Sequence, residues 1–82
     1  MLSTPPMPSN HPMLREFGQR VRNRRLELEL SQEELAERAE LHRTYISSLE
    51  QGRRNVAIRN VVRLAEALEI DPAELMRGLR SH

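Results

Sequence analysis

The chain has 82 residues, with 13 arginines and no lysine set against 12 acidic residues, for a net charge of +1 and no cysteine. That length suits one small domain, and its core must be aliphatic because Phe17 and Tyr45 are the only aromatic residues. Disulfides and thiolate metal sites are excluded together, and His11, His42 and His82 lack ligand spacing, so no metal or cofactor is expected and self-association becomes the expected source of extra stability. No apolar run approaches the roughly 20 residues of a membrane span, and the start of the chain lacks the basic and apolar regions of a signal peptide, which points to the cytoplasm. A charge of +1 is too small to imply a polyanionic partner by itself. Its distribution is more telling, since acidic residues gather between positions 27 and 40.

Residues 1–12, MLSTPPMPSNHP, carry four prolines and little to bury, so they read as a disordered tail ahead of a domain covering 13–82. A first helix is expected from Met13 to Glu29, with Leu14, Phe17, Val21 and Leu28 on its buried face and Arg20, Arg22, Arg24 and Arg25 on the others. Ser31 and Glu34 have the spacing of a capping box, which starts a second helix at Gln32. Leu35, Ala36 and Ala39 form its apolar side. A third helix from about Arg43 buries Ile46 and Leu49, leaves Arg43, Thr44, Ser47 and Ser48 on a free face, and ends at Gly52. The basic loop Arg53-Arg54-Asn55 leads to a fourth helix over Arg59–Glu69, with Ile58, Val61, Val62, Leu64, Ala65 and Leu68 as a broad apolar face. Asp71-Pro72-Ala73-Glu74 combines an N-cap, a proline at the first helical position and a capping-box glutamate. It opens a fifth helix over Pro72–Arg80, whose Leu75, Met76 and Leu79 suit either the core or a second subunit. No strand-length alternation appears, so the expected class is an all-α, five-helix domain.

Two short helices joined by a tight turn, Leu30 to Gly52, form the unit that usually reads DNA. From Phe17 to Leu75 the chain resembles the Cro/repressor-type helix-turn-helix family, also called the xenobiotic-response-element-like regulators. The resemblance rests on L-S-Q-E-E-L-A at Leu30 to Ala36, Y-I-S-x-L-E-x-G at Tyr45 to Gly52 and V-x-R-L-A-E-A-L at Val61 to Leu68. Within that family, Leu41-His42-Arg43-Thr44-Tyr45-Ile46-Ser47 looks most like the small controller proteins of restriction-modification systems. Three departures concern local stability. Glu29 and Glu40 stand where the family often has glycine, and a positive φ at Glu40 costs on the order of 1 kcal/mol. His42 and Ala57 replace the usual serine or threonine caps of the third and fourth helices.

Side chains near the start of a recognition helix can discriminate bases in the major groove. Arg43 is the strongest candidate, since a guanidinium pairs in bidentate fashion with guanine O6 and N7. The plainer readings are a phosphate contact or a pair with Glu40. Thr44 offers a methyl for thymine, and Ser47 and Ser48 need close approach or bridging water. The resemblance implies a phosphate contact for Gln32 and a structural ion pair between Arg25 and Glu50, against which Gln32 could equally be an exposed polar residue. Tyr45 suits either the DNA backbone or a cover over the core, and Arg53, Arg54 and Asn55 suit either the backbone or a solvated loop.

These readings imply a homodimer on a palindromic double-stranded site, with half-sites about one helical turn apart, an interface from the fifth helix and the end of the fourth, and affinity that falls steeply with salt. Glu33 and Glu37 are candidate contacts to RNA polymerase, the plainer reading being a solvated helix face. An enzyme is the weakest reading, for want of a nucleophile, a phosphate-cradling loop or a partnered histidine. No membrane association and no small-molecule ligand are expected. The competing class is an antitoxin or adaptor that holds another protein through helix 5 or the tail.

Overall fold

The computed structural model describes residues 11–81, so residues 1–10 of the expected tail, and His82, lie outside the described residues. Among the described residues the chain forms five helices and no strand: α1 Pro12–Glu27, α2 Gln32–Ala39, α3 Arg43–Glu50, α4 Ile58–Ala67 and α5 Pro72–Met76. The all-α expectation holds. Element boundaries differ where local chemistry overrides periodicity. Pro12 belongs to α1, at its first turn, because the His11 ring accepts a hydrogen bond from the Met13 amide at 3.2 Å and caps the helix. At the other end α1 stops two residues early, where Glu29 turns left-handed at φ 58° and the Leu30 amide donates to the Arg25 carbonyl at 3.0 Å.

The same closure recurs twice more. Glu40 and Glu69 also take φ 58°, and the amides of Leu41 and Ile70 donate back to Ala36 and Ala65 at 2.9 and 3.0 Å. Three glutamates thus occupy positions that glycine fills at least cost, each at a penalty on the order of 1 kcal/mol. The strain expected at Glu40 is present, and the two others accompany it. At the end of α3 the position goes to glycine: Gly52 sits at φ 77°, and the Arg53 amide donates to the Ser48 carbonyl at 3.0 Å.

Helix starts divide along the lines of their capping residues. Ser31 Oγ accepts from the Glu34 amide at 3.0 Å while the Ser31 amide donates to Glu34 Oε1 at 2.8 Å, closing the box that starts α2. His42 and Ala57 supply no side-chain cap to α3 and α4. At α5, Asp71 Oδ1 accepts from the Ala73 amide at 2.8 Å, but the Glu74 carboxylate accepts from Arg77 at 3.0 Å instead of reaching back, so the expected second half of that box is not made. Helix α5 also ends at Met76 and not at Arg80, because Arg77 is extended at ψ 126°.

The core joins Phe17 and Val21 of α1, Leu35, Ala36 and Ala39 of α2, Ile46 and Leu49 of α3, Val61, Leu64, Ala65 and Leu68 around α4, and Leu75 of α5. Leu75 is 1 % exposed, so of the two roles open to it the core is the one it takes, and it is removed from the expected dimer face. Ile58 and Val62 depart in the opposite sense: expected on the buried face of helix 4, they are 70 % and 40 % exposed. A first-turn position explains Ile58, and Val62 lies on the flank of the Val61–Leu64–Ala65–Leu68 stripe. Arginines of α1 that periodicity leaves on solvent faces finish other helices. Arg24 Nε donates to the Leu68 carbonyl at 2.9 Å and Arg20 to the Leu75 carbonyl at 3.3 Å, satisfying backbone groups that the ends of α4 and α5 leave open. No helix among the described residues is long and apolar enough to cross a membrane.

Candidate nucleic-acid interface

Helix α3 buries Ile46, Leu49 and Glu50 and turns its remaining surface outward. Arg43 and Thr44 are exposed, Ser47 and Ser48 half-buried, so the four residues expected to read bases share one accessible face. Arg43 makes no hydrogen bond or ion pair among the described residues, and the alternative pair with Glu40 is not formed. Ser47 Oγ accepts a long hydrogen bond, 3.4 Å, from Gln51 on the next turn.

The C-terminal half of α3 is anchored by a buried charge pair. Arg25 Nε and its terminal amine donate to Glu50 Oε2 and Oε1 at 2.7 and 3.0 Å, with side chains 7 % and 3 % exposed. The other terminal amine donates to the Leu30 carbonyl at 2.8 Å, so a single guanidinium ties α3 to the segment entering α2. Hydrogen bonding to Glu50 raises the Arg25 pKa above its ordinary value; burial opposes the rise and the Glu50 charge adds to it. Gln32 completes the group by donating from Nε2 to Glu50 Oε1 at 3.1 Å. An amide nitrogen carries two protons, so this bond leaves Gln32, half-buried at the start of α2, one donor for a phosphate.

Two glycines let the backbones close around that anchor. A Cβ on Gly18 of α1 would collide with the Leu49 carbonyl oxygen and lie 2.9 Å from the Glu50 carbonyl carbon. A Cβ on Gly52 would lie 2.6 Å from Arg15 Cγ. Gly18 was absent from the residues expected to matter, although an isolated glycine inside a helical pattern is itself a signal of close packing.

Of the two readings open to Tyr45, the cover over the core is the one seen. Its ring packs against the core, its hydroxyl accepts from Asn60 Nδ2 at 3.1 Å, and the Arg54 guanidinium lies 5.4 Å from the ring centroid. Asn60 carries no sequence signal that would have marked it. Arg53, Arg54 and Asn55 are exposed beyond the end of α3, and Glu33 and Glu37 are exposed on α2. Met76 is 41 % exposed and Leu79 half-buried; together with Met13, Phe17, Val56 and Ile58 they line an apolar groove of about 130 Å³.

A family model described as helix-turn-helix matches residues 21–75. The control protein C.BamHI of Bacillus amyloliquefaciens is 48% identical over 61 residues, covering 73% of this chain and 75% of that protein. Among solved structures, the restriction-modification controller protein C.AhdI from Aeromonas hydrophila superposes with a TM-score of 0.75 at 48% identity, over 76% of this chain and 94% of that one. The controller protein C.Esp1396I bound to a 19 base pair DNA duplex gives a TM-score of 0.75 at 31% identity, over 83% and 91% of the two chains. The match runs from the middle of α1 into α5, through the anchored recognition helix, and the chain belongs to the helix-turn-helix family of restriction-modification controller proteins.

Proposed function

We propose that this protein is a cytoplasmic transcriptional regulator that binds a palindromic operator as a homodimer and controls a restriction-modification system. The observation that carries the reading is the accessible face of α3, with Arg43 and Thr44 exposed and unpaired at the helix start while Arg25, Glu50 and Gln32 hold its far end. Arg43 reads guanine, Thr44 contacts a thymine methyl, and Ser47 and Ser48 make short or water-bridged contacts. Gln32, Tyr45, Arg53, Arg54 and Asn55 hold the phosphates that fix register. In this reading Glu33 and Glu37, which are exposed on α2, touch RNA polymerase when a dimer sits beside a promoter.

The face for the second copy is formed by Ile58, Val62, Met76 and Leu79, an apolar patch that the monomer leaves open. It draws on the start of α4 and not its end, with Leu75 held behind it in the core. No specific observation favours the antitoxin or adaptor alternative.

Selection of duplex DNA from a random pool, with the unsubstituted chain and Arg43→Ala in parallel, tests the reading. Enrichment of a palindrome, with one base position relaxed in the variant and affinity lowered by about 1–3 kcal/mol, is the expected result. Equal, weak, salt-sensitive binding by both proteins would reject it.

A further inference from the structure

We propose that Asn60 is a positioning residue for DNA: from the first turn of α4 it turns the Tyr45 hydroxyl proton outward, toward a phosphodiester oxygen. The proposal rests on the DNA-binding reading and adds to it a residue from outside the helix-turn-helix. A phenol has one proton to give and lone pairs with which to accept. At 3.1 Å the Asn60 amide donates to the Tyr45 oxygen, so it takes an accepting site and leaves the phenol proton uncommitted among the described residues. Accepting that bond also polarises the O–H and makes it a stronger donor.

The third member is a cation. Arg54, exposed in the loop between α3 and α4, lies with its guanidinium 5.4 Å from the Tyr45 ring centroid and forms no ion pair among the described residues. The aromatic face restrains a side chain that would otherwise sample many rotamers. A directed neutral donor and a restrained positive charge therefore meet at one edge of the recognition helix. That pairing suits a phosphate oxygen, which accepts from both, and it suits a base edge poorly because neither group carries a pattern of donors and acceptors.

The test is a double-mutant cycle on the selected operator duplex, using the full chain, fluorescence anisotropy and a salt series. Asn60→Ala is expected to weaken binding by about 3–10-fold. In a Tyr45→Phe background the same change should have no further effect, because the group through which Asn60 acts is gone. Asn60→Asp, which can only accept and so claims the phenol proton, should weaken binding more than alanine does when Tyr45 is present. Both Tyr45→Phe and Asn60→Ala should lower affinity for operator and scrambled duplexes by the same factor without changing the salt slope, whereas Arg54→Ala should reduce that slope by about one. Thermal midpoints of the variants separate these effects from loss of fold. An unchanged affinity for Asn60→Ala, or an equal loss with and without the Tyr45 hydroxyl, would overturn the proposal. Failure of the unsubstituted chain to prefer its operator would instead overturn the DNA reading, and this inference with it.

Discussion

The two ends of α3 are held by different means. Its C-terminal end is gripped by a buried bidentate ion pair and by two glycines that bring backbone against backbone. Its N-terminal end has an uncapped His42 followed by two exposed side chains, Arg43 and Thr44. The end proposed to read bases is thus attached through the opposite end. A recognition helix needs a fixed axis, because an error of an ångström at a base edge breaks a bidentate contact, yet its reading residues must stay free of the protein. Anchoring at the far end meets both conditions.

Breaking the anchor should have the largest effect. Glu50→Ala leaves the Arg25 guanidinium buried without its charge partner, which costs about 3–5 kcal/mol, measurable as a loss in urea unfolding. The paired replacement Arg25→Met with Glu50→Leu should recover much of that loss, since apolar substitutes for a buried pair are often neutral. Recovered stability without recovered operator binding would show that the pair serves orientation more than stability. Gly18→Ala comes next. The added methyl forces α1 and α3 apart where the Leu49 carbonyl lies, at about 1–3 kcal/mol, and should lower operator affinity further than stability alone explains. Unchanged stability in this variant would mean that the helices separate at no cost and that the contact does not set the position of α3.

Much of this division was legible in the sequence, for different reasons at each point. The start of α2 was fixed by Ser31 and Glu34, whose chemistry is local and therefore readable. The Arg25–Glu50 pair spans 25 positions and could be anticipated only through family resemblance, since nothing in the spacing of an arginine and a glutamate says that they are buried together. The glycine contacts, the Asn60–Tyr45 bond and the carbonyls bound by Arg20 and Arg24 depend on how α1 and α4 cross their neighbours. Periodicity carries no such information. It also misjudged Ile58 and Val62, because it marks residues as apolar without telling a buried face from an exposed one.

The N-terminal end offers a change in the opposite direction. His42→Ser supplies a hydroxyl where α3 has free amides and should stabilise the protein by about 0.5–1 kcal/mol, seen as a higher midpoint in thermal unfolding. Operator affinity should change less than for any anchor variant, because the axis is set elsewhere. A large gain in affinity would show instead that the N-terminal turn frays and that DNA pays for its ordering.

The smallest effect contrasts α3 with its capped neighbour. Hydrogen bonds from the Ser31 backbone, and then its side chain, hold the Glu34 carboxyl below the usual glutamate range. A carboxylate whose pKa is lower folded than unfolded contributes stability that is complete above its unfolded value, about 4.3, and is lost as pH falls through the folded value. Glu34→Gln keeps an oxygen able to accept from the Ser31 amide but cannot titrate. The two proteins should therefore differ slightly and constantly in thermal midpoint near neutral pH. Below about pH 4 the unsubstituted chain should fall toward the variant, and subtraction removes the other carboxylates, which both share. A difference that stays constant into strong acid would mean that the Ser31 bonds do not distinguish charged from neutral Glu34, and that the start of α2 is held by helix geometry alone, as the start of α3 is.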